Sequence, residues 1–490
     1  MMKEVESLNF PKDCVVNDRP FVTSRVNETS TLTIGGNGED YLEGNILQTL
    51  SEVQDYVESI KQSWTKSGCS IILDTWTDEQ GRQLMNFLVS CPEGTIYLKS
   101  CDISSRVLDL EALYLMLNEV IEELGAENVV QIIACSTIGW LWTAGEQFIS
   151  KFRTGFWSVS ASYCINLMLE KIELMDSIKP LLEKATTLKK FVLSLVNNEK
   201  FYRSNLRMLC SGIDSATTAF ITLQEIVNKK DELEELFTSS LWKESVWATM
   251  EEGKQVAELV MDPSFWTSAM MVLNASWPLI RALNLIQMSD KPFTGYIYET
   301  MDKAKEAIQK ALNNKKSQYM PFWEAIDDIW NNHLHSPLHA AGYFFNPDFF
   351  YSRDFYSDPE VAFGVLCCVV RIVHDENTKD RISLQLDKYR KAEGAFNDGC
   401  SINCRKKHPI SWWSIYGRDC PELQSFAIRI LSQTIEGPSA YGLKREMAER
   451  LLASEMDCEK DQLRELAFVH YNLQLKYLSQ KVKKSENDSN

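Results

Sequence analysis

The spacing of apolar residues along the chain changes its period twice. From Asn45 to about Ile60, apolar side chains recur every three or four positions, which predicts an amphipathic helix. Short apolar runs follow, and they predict four strands, at about residues 70–75, 84–90, 95–100 and 129–134. A helix is expected between the third and fourth strands, because Asp109 is suited to cap its start and Gly125 its end.

This order of elements predicts an α/β fold with one mixed sheet. The first three strands are expected to be antiparallel and the fourth parallel to the first, with the helix over about 109–124 packed on one face. Beyond about residue 145 a helical period dominates as far as residue 400, and further helices are indicated at 412–434 and 440–480.

Composition narrows the class of protein. The chain has 490 residues, of which 44% are hydrophobic, so disorder of the whole chain is excluded. The 13 cysteines are scattered without a regular spacing, which favours reduced thiols in the nucleus or, alternatively, the cytoplasm. No long apolar run and no secretory signal are recognised, so no membrane span is expected. The net charge of −17 means that any contact with nucleic acid needs a local basic patch.

Several stretches form ordered motifs. The most specific one reads CSIILDTWTD from Cys69 to Asp78, and others begin with NFLVSCPEG at Asn86, NVVQ at Asn128 and WWSIYG at Trp412. In this order they resemble the hAT superfamily of cut-and-paste DNA transposases, in the branch with a transposase-like domain of unknown function. The resemblance implies a ribonuclease-H-like mixed sheet, interrupted by a large all-helical insertion and completed by C-terminal helices.

The resemblance and the patterns together divide the chain into five parts. They are a disordered polar arm (1–45), the first part of the ribonuclease-H-like domain (46–145), the helical insertion (146–405), the C-terminal dimerisation region (406–476) and a disordered tail (477–490). The arm contains Cys14 but no histidine, so a zinc finger of the kind found at the N-terminus of the family is not expected in it.

The resemblance also implies a metal-dependent strand-transfer site, in which three carboxylates hold two divalent cations. Asp74, at the end of the first strand, matches the first carboxylate. Cys135 stands at the second position, and the third falls near Tyr441, with Glu436 and Glu446 five residues to either side. Asp, Cys and Tyr are unsuited to Mg²⁺ or Mn²⁺. We therefore expect no catalytic site, no metal and no cofactor, and Asp74 is interpreted as a vestigial ligand.

Two further groups of residues are candidates for binding. The densest basic patch is a candidate DNA contact and comprises Lys189, Lys190, Lys200, Arg203 and Arg207. The resemblance assigns dimerisation to the C-terminal region, where the large apolar side chains include Trp412, Trp413, Leu423, Phe426 and Ile430. The alternative is that these apolar residues complete the core of their own chain.

The sequence thus predicts a catalytically inactive, transposase-derived nuclear protein that acts through dimerisation and through protein or chromatin binding. Its expected partners are a second copy or related proteins, with DNA or chromatin as candidates and no membrane or small-molecule substrate. The alternative is a metal-dependent DNA transposase or nuclease whose second and third carboxylates lie elsewhere. A decayed transposon product without a selected function is a third reading.

Overall fold

The computed structural model describes residues 39–487, except 108, 138, 197–215, 289–293, 354, 357–358 and 455–456. Within these ranges the protein has one five-stranded mixed sheet, and 70% of it is helical. The strands are β1 (Cys69–Thr77), β2 (Gln83–Cys91), β3 (Gly94–Asp102), β4 (Val129–Ala134) and β5 (Phe156–Val159). Their order across the sheet is β3-β2-β1-β4-β5.

The pairing of the four expected strands is confirmed. β1 pairs antiparallel with β2, and β2 antiparallel with β3, whereas β4 lies parallel to β1. The fifth strand, β5, pairs parallel with β4 and was not expected, because residues 146–405 were assigned to helices. Its four residues are too few to establish a period of two, and helical segments flank them on both sides.

Four helices belong to the N-terminal part of the chain: α1 (Glu39–Lys61), α2 (Trp64–Ser67), α3 (Leu110–Leu124) and α4 (Gly139–Lys151). The helices between β5 and residue 405 are α5 (Ala161–Glu173), α6 (Lys179–Val196), α7 (Ala216–Asn228), α8 (Lys230–Thr238), α9 (Ser240–Lys243), α10 (Glu251–Met261), α11 (Pro263–Met288), α12 (Ile297–Ala311), α13 (Lys316–Ile329), α14 (Pro337–Phe345), α15 (Pro347–Phe350), α16 (Pro359–Ile372), α17 (Glu376–Arg390) and α18 (Gly399–Asn403). The last four are α19 (Pro409–Tyr416), α20 (Pro421–Leu431), α21 (Glu446–Ala453) and α22 (Asp457–Asn487).

One face of the sheet is apolar and is covered by α1, α3 and α4. Because side chains alternate along a strand, Ile71 and Leu73 of β1 point to this face and pack in one cluster with Leu117 of α3. The start of α3 is fixed as expected, since the Asp109 carboxylate accepts hydrogen bonds from the backbone N–H groups of Glu111 and Ala112.

The opposite face is covered by α21 and α22. Ile72 and Trp76 of β1 pack there with Tyr471 of α22. Asn472 binds the backbone of the edge strand: its Oδ1 accepts from Tyr97 N at 2.9 Å, and its Nδ2 donates to Tyr97 O at 3.0 Å. The end of the chain is thereby attached to the sheet through a strand that would otherwise have free backbone groups at its edge.

A separate aromatic and aliphatic core lies within the helices that follow β5, and it extends to α19 and α20. Within α11, Pro263–Gln287 is long and apolar enough, by length and composition, to cross a membrane. Its most apolar window is 56% buried inside the protein, and the central helix of a packed core passes the same test.

Both ends of the described chain are more helical than expected. The helix α1 begins at Glu39, inside the segment 1–45 assigned to a disordered arm; residues 1–38 lie outside the described ranges. The helix α22 continues to Asn487, although a disordered tail was expected from residue 477. Five of the eleven residues from 477 to 487 are Gln, Lys or Glu, which are good helix formers, so a helix already started by packed residues continues at little cost.

Candidate functional site

The face of the sheet under α21 and α22 carries a line of buried polar side chains. Ser70 and Asp74 share this face of β1, because they are separated by an even number of residues. Gln131 lies beside Ser70 on β4, and Asn86 lies beside Asp74 on β2. Buried polar groups require hydrogen-bond partners, and the C-terminal part of the chain provides many of them.

At the start of β1 these partners form a closed network. Ser70 Oγ donates to Gln433 Oε1 at 2.9 Å, and Gln131 Nε2 donates to Ser70 Oγ at 2.9 Å. Gln131 Nε2 also donates to the carbonyl oxygen of Thr434 at 2.7 Å, while Ser158 Oγ donates to Gln131 Oε1 at 2.9 Å. The network joins three strands to the segment after α20.

The candidate catalytic residue Asp74 lies further along the same face and is bound by an arginine. Arg445 Nη2 donates to Asp74 Oδ1 at 3.2 Å. The guanidinium group lies 5.0 Å from the centroid of the Trp76 ring, and Trp76 Nε1 donates to Glu449 Oε1 at 2.9 Å. Arg445 directly precedes α21, so these contacts attach that helix to the end of β1.

Burial is the main influence on the Asp74 carboxyl, and it raises the pKa of this group above its ordinary value. Arg445 opposes this effect through its charge and its hydrogen bond. The Asn86 amide also lowers the pKa of Asp74, although its Nδ2 makes no hydrogen bond of normal geometry. A metal ion bound by Asp74 would therefore have to displace Arg445 from a carboxyl that is already removed from water.

Cys135, expected at the second ligand position, does lie next to this site. It follows β4, and its Sγ lies 3.0 Å from Thr75 Oγ1 and 3.4 Å from the Thr75 backbone nitrogen. Burial, assisted by the Asp74 charge, raises the pKa of the Cys135 thiol. The thiolate is the form of cysteine that binds metals, so this neutral thiol does not replace a carboxylate.

The third ligand position, expected near Tyr441, is not beside Asp74. Tyr441 Oη lies 3.2 Å from Thr95 Oγ1 and 3.5 Å from Ser90 Oγ. Ser90 pairs with Ser70, which precedes Asp74 by four residues along β1, so Tyr441 lies toward the opposite end of that strand. The turn after Tyr441 brings Arg445, four residues later, to the position beside Asp74.

Glu446, the acid five residues after Tyr441, lies close to this site. The pKa of Tyr471 is raised to about 12, first by burial and then by the nearby carboxylates of Glu446, Asp74 and Glu449. These three carboxylates therefore all act on the same tyrosine hydroxyl through their charge. Among the described residues, however, no group of three or more His, Cys, Asp or Glu side chains is arranged to hold a metal ion.

Glu436, the acid five residues before Tyr441, is buried in a different polar cluster beyond β5. Its Oε2 accepts from Ser162 Oγ at 3.2 Å, and Ser162 Oγ lies 3.0 Å from Ser160 Oγ. Its Oε1 has no hydrogen-bond partner among the described residues. Burial raises the pKa of Glu436 to about 7. The sequence offers only a weak signal for this cluster, namely the alternating serines around residue 160.

Only part of the basic patch that is the candidate DNA contact lies within the described residues. The ammonium group of Lys189 lies 3.2 Å from Glu225 Oε2 and 3.3 Å from Thr222 Oγ1 of α7. Lys190, one position later on α6, is exposed. The remaining members, Lys200, Arg203 and Arg207, lie outside the described residues.

The five apolar residues assigned to dimerisation are buried within their own chain. They are Trp412, Trp413, Leu423, Phe426 and Ile430. The two indoles are also hydrogen-bonded internally, since Trp412 Nε1 donates to Ser401 O at 3.0 Å and Trp413 Nε1 donates to Phe345 O at 2.7 Å. In this structure these side chains complete the large aromatic core of the helices after β5, which is the alternative given for them above.

Comparison with known families gives one match. Residues 38–188 match the family model described as "Domain of unknown function (DUF659)", a domain found in hAT-type transposase-related proteins. The matched range contains all five strands, Asp74 and Cys135, and it ends before the C-terminal region. Among curated proteins, none matches the chain significantly.

We predict that Arg445→Gln destabilises the protein by about 1–3 kcal/mol, because it leaves the buried Asp74 carboxyl with fewer partners. The double variant with Asp74→Asn should recover part of this loss, since the neutral amide does not need the cation. Urea unfolding measures the free energy of unfolding of the single and the double variant. Lys99→Gln is the control, because Lys99 and its partner Glu123 are both well exposed, and it should have almost no effect. If Arg445→Gln and Lys99→Gln lowered the free energy of unfolding equally, this role of Arg445 would be contradicted.

We also predict that the Glu436 carboxyl destabilises the folded protein as the pH rises. Its folded pKa of about 7 exceeds the ordinary value of 4.5, so between these values the folded state keeps a proton that the unfolded state releases. Stability is therefore lost from pH 4.5 to 7, by about 3 kcal/mol in total. Thermal unfolding should show Glu436→Gln to be more stable than the parent protein at pH 8, with a smaller difference at pH 5. The exposed control Glu258→Gln should show no such trend, and a pH-independent effect of Glu436→Gln would refute the assignment.

Proposed function

We propose that this protein is a transposase-derived protein without catalytic activity, which retains a ribonuclease-H-like scaffold and acts by binding other molecules. The observation that carries the proposal is the pairing of Asp74 with Arg445, beside a neutral Cys135 thiol. The order and directions of the five strands, with Asp74 on the central strand, are compatible with that scaffold. The long run of helices after β5 is compatible with the proposed insertion.

The chemistry of strand transfer supports the proposal that the protein has no catalytic activity. Two divalent cations require several carboxylate oxygens around them, because the ligands must offset the charge of the ions. Beside Asp74, Arg445 instead contributes a positive charge, and Cys135, which directly follows the neighbouring strand β4, contributes a thiol. Both changes favour the loss of metal affinity at Asp74.

The binding role is proposed from the family of the matched domain. Candidate partners are a second copy of the chain, related proteins, and DNA or chromatin in the nucleus, with the cytoplasm as the alternative location. Fractionation of cells expressing the full-length protein, combined with DNA crosslinking, is the measurement. We expect most of the protein in the nuclear fraction and part of it crosslinked to DNA. Recovery from the cytosol alone, without DNA, would contradict the chromatin role.

One observation favours the alternative of a metal-dependent transposase or nuclease. The charges of Glu446, Asp74 and Glu449 all act on the Tyr471 hydroxyl, so two further acids of α21 belong to the surroundings of this site. This alternative requires a rearrangement of the loop before α21.

We predict that the purified protein does not nick or cleave plasmid DNA above background with Mg²⁺ or Mn²⁺. Asp74→Asn should leave this background unchanged, because no reaction depends on the carboxyl. The control Asp78→Asn alters an acid that is bound to Arg82 at 2.7 Å instead of to Arg445. Metal-dependent nicking that Asp74→Asn abolishes and Asp78→Asn preserves would establish the nuclease alternative.

A further inference from the structure

The connection between α20 and α21, residues 435–445, is buried only at its start. Its first three residues are buried, and the others are partly or fully exposed. The carbonyl oxygen of Ile435 accepts from the backbone N–H of Ala161, at the start of α5, at 2.9 Å. Gly437 lies against the same helix end, since a Cβ atom there would be 2.5 Å from Ser160 Oγ. One short stretch therefore attaches this connection to α5.

The carboxyl group of Glu436 lies within this stretch and has few hydrogen-bond donors. Ser162 Oγ donates to its Oε2 at 3.2 Å, whereas its Oε1 has no partner among the described residues. Other hydroxyl groups lie next to this bond, since Ser162 Oγ is 3.0 Å from Ser160 Oγ and 3.4 Å from Ser439 Oγ. A hydroxyl group carries no charge, so it stabilises a buried carboxylate much less than an arginine or a lysine does.

Among the residues that the structure describes, no charged side chain compensates the Glu436 carboxyl. Burial raises its pKa to about 7, and the hydrogen bonds that it accepts lower this pKa only in part. The titratable group near it within the connection is Tyr441, whose phenol is affected by the Glu436 charge. Asp74, by contrast, is paired with Arg445 at the end of the same connection. The neutral form of Glu436 therefore fits its surroundings, and the ionised form does not.

We propose that Glu436 is a pH-sensitive latch, whose ionisation releases the connection from α5 and thereby withdraws Arg445 from Asp74. In the closed state the buried carboxyl keeps its proton up to a pKa of about 7, whereas in the open state it returns to its ordinary value of 4.5. Opening therefore releases a proton and becomes more favourable as the pH rises from 4.5 to 7, and the effect levels off above 7. The population of the open state should increase by about 300-fold over this range.

Little apolar packing opposes the opening. The cost is the exposure of Ile435, the bonds of Tyr441 to Thr95 and Ser90, and the ion pair of Arg445. Segments with few buried apolar groups open at a lower free energy than the whole fold. The fully exposed residues of the connection are Ser439, Ala440, Gly442, Lys444 and Arg445.

The latch determines whether Asp74 has a cation beside it. In the closed state Arg445 occupies this position, and in the open state the carboxyl of Asp74 is left without its ion pair. The inference concerns the coupling of Glu436 to Arg445, so it goes beyond the proposed binding function and does not depend on it.

The test is limited proteolysis of the full-length protein by trypsin at pH 8, with cleavage after Lys444 and Arg445 measured by mass spectrometry. Proteolysis of a transiently opened segment follows the population of its open state. We expect the parent protein to be cut at these bonds at least tenfold faster than Glu436→Gln, because the amide stays neutral and the connection stays closed. The matched control Glu258→Gln alters an exposed glutamate, and it should be cut at the rate of the parent protein.

A second variant distinguishes local opening from unfolding of the whole protein. Leu117→Ala removes a buried side chain on the opposite face of the sheet and lowers the stability of the entire fold. The double variant Glu436→Gln/Leu117→Ala should still be cut slowly at the connection, and circular dichroism verifies that it is folded. Equal cleavage of the parent protein and Glu436→Gln would overturn the proposal. A double variant cut as fast as the parent would also overturn it, because the charge would then act through global unfolding alone.

Discussion

The need to satisfy buried polar groups on one face of the sheet connects the two ends of this chain. Ser70, Asp74 and Gln131 would each be costly to bury without partners. Their partners, Gln433, Thr434 and Arg445, lie more than 300 residues later in the chain. The helices after β5 must therefore return the chain to the sheet, and the position of α21 and α22 follows from these bonds together with the apolar contacts of Trp76 and Tyr471.

The need to compensate buried polar groups also affects whether Asp74 can bind a metal ion. A carboxyl buried on a central strand is costly unless a cation compensates it, and either a metal ion or an arginine can do so. In this protein Arg445 is held beside Asp74 by the Trp76 ring, and Cys135 contributes no charge. The arrangement stabilises the fold with protein groups alone, which is why we propose binding as the function.

The regular elements were predictable, because they depend on local patterns. β1 to β4 and α3 follow from apolar periods, a capping aspartate and turn residues, all of which act over a few positions. β5 was missed because four residues carry too little pattern. Other contacts depend on helices that lie far away in the sequence, as in the burial of Trp412 and Trp413 and the pairing of Lys189 with Glu225. Local sequence patterns therefore cannot distinguish a core residue from an interface residue at these positions. Arg445 was missed for the same reason, since its partner is 371 residues away.

The most direct test of the central claim, that Asp74 is compensated by Arg445 and not by a metal, is a titration of the full-length protein with Mn²⁺. Electron paramagnetic resonance of the free ion measures how much is bound. We expect the same weak binding in the parent protein and in Asp74→Asn. Binding of one or two ions per chain that disappears in Asp74→Asn would contradict it.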